Sequence, residues 1–140
     1  MPIIVAIDGP SGAGKSSSAK AIAQRAGWNY LDTGALYRGA TWLAIKNNLS
    51  EASEIISALE KNSLKFNSDP NIPTIKCGKS DITEEIRSEL ITSQVSTYAA
   101  MPELRKFLVT LQQKIIQSAT RGIVVEGRDI GTVVFPNADL

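Results

Sequence analysis

Apolar positions near the N-terminus alternate between continuous runs and helical spacing, and this alternation predicts the fold class. Residues 3–7 form an apolar, partly β-branched run that predicts a buried parallel strand. Residues 16–26 carry small alanines at helical spacing and predict a helix that packs flat on a sheet. A second strand at residues 28–31 and a helix that begins near residue 34 repeat this order. The order is typical of an α/β protein with a parallel sheet flanked by helices.

The middle of the chain has a different pattern. Residues 64–67 and 74–77 alternate apolar with polar side chains, and a segment rich in proline and asparagine separates them. This arrangement predicts a small antiparallel hairpin. Because it interrupts the strand and helix order, we expect a small lobe apart from the main core.

Two helices near this hairpin are predicted from their capping residues. Ser50 is the expected N-cap of a helix over residues 51–61. Asp81 with Glu84 three residues later predicts a capping box at the start of a helix that extends from residue 83 to about 98.

The last predicted helix and strand lead to the end of the sheet where ligands bind. A proline in the first helical position and an apolar stripe predict a helix over residues 102–118. The stripe consists of Leu104, Leu108, Leu111 and Ile115. Residues 122–126 then predict a buried strand, and Arg128 and Asp129 follow at its carboxyl end.

Composition limits the classes of partner. The 140 residues are 43% hydrophobic, and 15 basic against 14 acidic residues give a net charge of +1. Without a basic stripe we expect neither a nucleic acid polymer nor a membrane surface as partner. The single cysteine, Cys77, fits a reducing, cytoplasmic location. The chain has no histidine, which excludes serine–histidine–aspartate chemistry and most zinc sites.

A glycine-rich loop after the first strand carries the clearest chemistry. Gly9, Gly14, Lys15 and Ser16 satisfy the phosphate-loop (P-loop) pattern G-x-x-x-x-G-K-[ST]. The loop amides would surround a polyphosphate, Lys15 would reach the β- and γ-phosphates, and the Ser16 hydroxyl would bind Mg²⁺. We therefore expect ATP and Mg²⁺ as cofactors. The predicted cofactor-binding residues are Gly9, Pro10, Ser11, Gly12, Ala13, Gly14, Lys15, Ser16 and Ser17.

Four ordered motifs resemble those of the bacterial cytidylate kinases, which are nucleoside monophosphate (NMP) kinases. They are IDGPSGAGKS at residues 7–16, LDTGALYR at 31–38, DITEEIR at 81–87 and VEGRDIGTVVFP at 125–136. The chain is similar to the first two-thirds of such an enzyme. The resemblance implies transfer of the ATP γ-phosphoryl group to CMP or dCMP, a step of pyrimidine metabolism.

The resemblance also implies a division of the chain. Residues 1–61 and 99–140 would form a P-loop NTPase-type core that is incomplete at its C-terminus. Residues 62–98 would form an inserted NMP-binding lobe. We expect the full-length form to be a monomer whose partners are the small molecules CMP or dCMP and ATP.

The same resemblance implies roles for individual residues. Arg38 would clamp the acceptor phosphate and act with Lys15 as a catalytic residue, while Thr33 and Tyr37 would line the same pocket. Asp129 would accept a hydrogen bond from the exocyclic amine of cytosine and so select it over uracil. Arg128 would hold the ring or the phosphate side of the same nucleotide. Weaker matches add two further substrate contacts, Ser96 and Arg105.

Alternatives remain open at this point. The chain could be a P-loop kinase for another small acceptor such as UMP, AMP or shikimate, although these do not require an acid in the place of Asp129. A GTPase-type switch would carry an Asn-Lys-x-Asp motif, and none occurs. The family's arginine-rich lid would follow Leu140. If the polypeptide ends there, we expect a nucleotide-binding fragment with feeble or no turnover.

Overall fold

The computed structural model describes residues 2–8 and 15–127, with the backbone alone at residues 15 and 16. In chain order the elements are β1 (Ile3–Asp8), α1 (Lys15–Ala26), β2 (Asn29–Asp32), α2 (Thr33–Lys46), α3 (Ala52–Lys61), β3 (Leu64–Phe66), β4 (Ile75–Cys77), β5 (Ser80–Asp81), a 3₁₀ turn (Glu85–Arg87), α4 (Glu89–Ala99), α5 (Pro102–Gln117) and β6 (Gly122–Gly127). They form two compact units.

The first unit contains the parallel sheet. It comprises Met1–Gly34, Ser68–Pro73 and Val109–Leu140. Among the described residues its strands lie in the order β1-β6-β2, and β6 is parallel to both neighbours. The three strands predicted at residues 3–7, 28–31 and 122–126 therefore belong to one parallel sheet, and the predicted α/β class is confirmed.

Helix α1 packs against β6 and β2 through its small residues. Ala19 and Ala23 are completely buried, because an alanine side chain lets the helix lie close to the sheet. A second close approach occurs at the start of β6. A Cβ atom built on Gly122 would lie 2.5 Å from Cδ2 of Trp28, so the indole ring occupies the space that any larger residue would need.

The second unit combines helices with the predicted hairpin. It comprises Ala35–Asn67 and Thr74–Leu108. Strands β3 and β4 are antiparallel as predicted, and the short strand β5, which the sequence pattern did not indicate, extends the sheet. Helix α2 packs on this sheet at Gly39, where a Cβ atom would lie 3.0 Å from a methyl carbon of Leu64.

The predicted cap of α3 is wrong by one residue. The N-cap is Glu51 rather than Ser50, and the helix begins at Ala52. The Glu54 carboxylate accepts a hydrogen bond from the Glu51 backbone N–H at 3.3 Å, so an acid three residues into the helix satisfies the cap backbone.

The predicted helix over residues 83–98 begins too early. The Asp81 carboxylate accepts from the Thr83 backbone N–H at 3.0 Å and from the Thr83 hydroxyl at 2.6 Å. These bonds close a turn after β5 and compete with helix formation. The 3₁₀ turn follows, and α4 starts only after Ser88, whose hydroxyl accepts from the Ile91 N–H at 3.4 Å.

Helix α5 begins at Pro102 as predicted, but its C-terminal half buries a different face. Leu104, Leu108, Gln112 and Ile116 are completely buried, whereas Leu111 and Ile115 are half-buried. Since a helix turns by about 100° per residue, steps of four residues rotate the buried face progressively around the axis. The polar Gln112 side chain consequently lies in the interior.

Two features are absent from the described part of the chain. No helix there is long and apolar enough to cross a membrane. No group of three or more histidine, cysteine, aspartate or glutamate residues in that part could hold a metal ion.

Candidate active site

The carboxyl ends of the three parallel strands form one edge of the first unit. Asp8 at the end of β1 pairs with Gly127 of β6, and Asp32 at the end of β2 pairs with Glu126. Ligands of open α/β sheets bind at this edge. The sequence predicts three nucleotide-binding segments at this edge. They begin directly after Asp8, Asp32 and Gly127.

The elements on both sides of the glycine-rich loop have the predicted order. Strand β1 ends at Asp8, and α1 begins at Lys15. Residues 9–14 lie outside the described residues, as do the side chains of Lys15 and Ser16. Ser17 is exposed on the first turn of α1. A helix that starts directly after such a loop directs its N-terminal amides toward an anion.

The strand ends β2 and β6 are joined by side chains. The Tyr30 hydroxyl donates a hydrogen bond to the Glu126 carboxylate, and both residues are only 2% exposed. The Thr33 hydroxyl donates to the backbone carbonyl of Glu126 at 2.9 Å. The structure thus brings the predicted pocket residue Thr33 against the last residues of β6.

Helix α2 begins immediately after β2, without an intervening loop. Thr33 is its first residue, and a Cβ atom on Gly34 would lie 3.2 Å from a carboxylate oxygen of Asp32. The glycine therefore allows the chain to turn sharply from strand to helix beside the Asp32 carboxylate. This turn is the start of the predicted LDTGALYR motif.

The second unit holds the predicted residue Arg38 in a defined position. Its Nη1 donates to the Ile86 carbonyl at 3.0 Å and to the Thr92 hydroxyl at 2.8 Å. The 3₁₀ turn and α4 therefore fix the guanidinium group. Tyr37, the preceding residue, is half-buried, and its carbonyl accepts from the Thr41 hydroxyl at 2.8 Å.

The remaining predicted residues have diverse positions. Ser96 is exposed on α4, and Arg105 is half-buried near the start of α5. Arg128 and Asp129 lie outside the described residues, and only the strand that precedes them is described. The roles predicted for these four residues stay predictions.

Sequence reasoning did not single out Tyr30 or Glu126. A signal was available for Glu126, since an acid at the end of an otherwise apolar buried strand needs a hydrogen-bond partner. Its partner could not be read from the sequence, because 96 positions separate Tyr30 from Glu126 and the pair forms only when β2 aligns with β6.

Two titratable side chains in the second unit have pKa values that their surroundings shift. Burial raises the pKa of the Cys77 thiol above its ordinary value, and the charge of Lys46 opposes this to a smaller extent. The hydrogen bonds from Thr83 lower the pKa of Asp81. Neither residue belongs to the predicted site.

Comparison with known proteins identifies the family. The family model described as cytidylate kinase matches residues 5–140. A cytidylate kinase of Streptomyces griseus is 49% identical over 99% of this chain and 61% of its own length. A cytidylate kinase of Streptococcus thermophilus is 48% identical over 99% of this chain and 62% of its own length. The chain thus spans about three-fifths of the length of these curated relatives. Because the family model matches nearly the whole chain, the chain belongs to the cytidylate kinase family.

Proposed function

We propose that the protein transfers the γ-phosphoryl group of ATP to CMP or dCMP. The observation that carries the proposal is the family match over residues 5–140. The arrangement of strand ends supports it, because Asp8, Asp32 and Gly127 terminate neighbouring parallel strands at the edge where nucleotides bind in such folds.

The segment between β1 and α1 would bind the donor triphosphate with Mg²⁺. The N-terminal turn of α1 follows a glycine-rich loop, and its amides would bind phosphate oxygens. Lys15 would bind the β- and γ-phosphates, and the Ser16 hydroxyl would hold Mg²⁺ beside Ser17. When bound, Mg²⁺ supplies neutralising charge on the phosphates.

Arg38 is the residue best suited to the acceptor phosphate. Its Nη1 donates to the Ile86 carbonyl and to the Thr92 hydroxyl, and these hydrogen bonds help to keep the guanidinium in place. A phosphate oxygen forms a stronger, charge-assisted hydrogen bond with an arginine. Arg105 would add a second positive charge, and Tyr37 and Thr33 would line the pocket.

No general base is needed for this reaction. Phosphoryl transfer depends mainly on alignment of the reactants and on neutralisation of charge, and the acceptor is already an anion. A chain without histidine can therefore perform its part of the reaction with lysine and arginine.

Recognition of the base would rest on residues after β6. Asp129 would accept a hydrogen bond from the amino group of cytosine, and the carbonyl of uracil would be repelled there. Arg128 and Ser96 would complete the contacts with the acceptor.

The remaining parts of the proposal concern organisation. Residues 1–61 and 99–140 would form the P-loop core, and residues 62–98 would form the NMP-binding lobe. The protein would act in the cytoplasm as a monomer, in pyrimidine metabolism.

Binding and turnover on the 140-residue chain test this proposal. Calorimetry would measure the affinities for ATP, CMP, dCMP, UMP and AMP, and a coupled assay would measure ADP release. We expect CMP and dCMP to bind more tightly than UMP and AMP. Asp129→Ala should reduce this preference, and Lys15→Ala should abolish ATP binding and turnover.

Lys79→Ala is the matched control, because Lys79 is exposed in the β4–β5 turn. If the 140-residue chain binds CMP without turnover, it would carry recognition of the acceptor nucleotide. Phosphoryl transfer would then need the remaining two-fifths of the relatives' length. Equal affinity for all four monophosphates would refute the proposed substrate.

A further inference from the structure

The buried contact between Tyr30 and Glu126 has no role in the proposed function. Both side chains are 2% exposed, and the Tyr30 hydroxyl donates to the carboxylate. A buried carboxylate is costly unless it is hydrogen-bonded. A strand that needed only to pack in the core would have an apolar residue at this position, as it has at residues 123–125.

Glu126 also binds the start of α2 through its main chain. The Thr33 hydroxyl donates to the Glu126 carbonyl at 2.9 Å, across 93 positions of sequence. The last paired residues of β2 and β6 are Asp32 and Glu126, so Thr33 lies just beyond the ladder. Its side chain continues the connection between the two chain segments after the regular pairing stops.

We refer to the group formed by Tyr30, Thr33 and Glu126 as the strand-end clasp. A hydroxyl has only one proton, and in Thr33 that proton is used for the Glu126 carbonyl. Thr33 is itself 3% exposed, so its main effect is on the position of the chain around it. The clasp therefore fixes the first residue of α2 relative to the end of β6.

We propose that Tyr30 and Glu126 are positioning residues for the acceptor nucleotide. The inference rests on the proposed function, which assigns the acceptor to the chain segments on both sides of the clasp. Arg38 lies five residues after Thr33, and Arg128 and Asp129 follow Glu126 by two and three residues. The clasp sets the distance between Thr33 and Glu126, the residues after which these two segments continue.

Tyr30→Phe removes one hydroxyl and retains the ring, and so tests the clasp with little change in packing. We expect the Kd for CMP to rise about tenfold, because the two acceptor-binding segments lose their alignment, while the Kd for ATP changes less than about twofold. Calorimetry on the 140-residue chain would measure both affinities. Tyr98→Phe, which makes the same chemical change on α4, is the matched control.

A double-mutant cycle separates positioning from a general loss of stability. Thr33→Val removes the other hydrogen bond of the clasp, and we expect its effect on CMP affinity to be less than additive with that of Tyr30→Phe. Glu126→Gln introduced into the Tyr30→Phe variant removes the carboxylate charge left without its donor. We expect it to restore part of the CMP affinity. If Tyr30→Phe fails to fold, the double variant Tyr30→Phe/Glu126→Gln, which removes the charge together with its donor, must still weaken CMP binding more than ATP binding.

Several results would overturn the inference. Unchanged CMP affinity in Tyr30→Phe would do so, as would a parallel loss of CMP and ATP affinity or fully additive effects in the cycle. In these cases the unmutated chain still binds CMP, and the proposed function stands. If the unmutated chain binds no CMP, the proposed function fails and the inference fails with it.

Discussion

A methyl group added at Gly122 would collide with the ring of Trp28. The ideal Cβ position lies 2.5, 2.6 and 2.8 Å from three ring carbons. Real Cβ atoms do not approach other heavy atoms to within 3.0 Å, so the ring or the strand must move. Gly122→Ala therefore tests whether Trp28 packs against β6 as described.

The cost of this substitution has two opposing parts. Overpacking in a well-packed region costs about 1–3 kcal/mol. The φ angle of Gly122 is not among the positive ones, so alanine is free of backbone strain and should recover about 0.4–1 kcal/mol of unfolded-chain entropy. We expect Gly122→Ala to lower the free energy of unfolding by about 1–2 kcal/mol.

Urea denaturation followed by circular dichroism would measure this change. Trp28→Leu supplies the control background, since the smaller side chain leaves space for the added methyl group. In that background Gly122→Ala should be neutral or slightly stabilising. A loss of stability that is the same with and without the Trp28 ring would refute the reasoning, because the collision would then not be its cause.

Three further predictions concern single side chains. Gln112→Met should raise the free energy of unfolding by about 1–2 kcal/mol, because both polar atoms of the buried amide lack a hydrogen-bond partner among the described residues. A urea titration would measure this change, and a loss of stability would show that the amide has a partner. The pKa of Asp81 is lowered below its ordinary value of 3.8, so its contribution to stability is present above about pH 4 and is lost as pH falls through the lowered pKa. Thermal melts of wild type and Asp81→Asn should therefore differ at pH 6 and converge at the lowest pH, and a constant difference would contradict this. Burial raises the pKa of the Cys77 thiol and limits access to it. Iodoacetamide at pH 8 should therefore label Cys77 at least about tenfold more slowly in the folded chain than in urea. Equal labelling rates would show that the thiol is accessible.

Local sequence patterns predicted most of the elements but not all of their boundaries. The strands β1 and β6 were predictable because their continuous apolar runs have few alternatives to burial. The start of α4 was not, because the Asp81 side chain binds Thr83 in a turn where the same residue type could have capped a helix. An aspartate can close a turn or cap a helix at similar energy, and the contacts around β5 determined that Asp81 closes a turn.

For the site, the sequence predicted both residues and roles, and the roles stay predictions. The P-loop pattern is a continuous motif, so its chemistry could be inferred from Gly9, Gly14, Lys15 and Ser16 alone. The position of Arg38 on α2 was also predicted from sequence. Its partners Ile86 and Thr92 are 48 and 54 positions away and depend on how the helices pack.

The sequence by itself determined the α/β class and the family, because these depend on contiguous motifs and on hydrophobic spacing, and it predicted a nucleotide-binding loop at residues 9–16. Only the tertiary structure determined the strand-end clasp, the burial of Gln112 and the contact between Trp28 and Gly122. Each of these joins residues that are distant in sequence and meet through strand register or helix packing. Register and packing follow from the fit of the whole core, which no local pattern encodes.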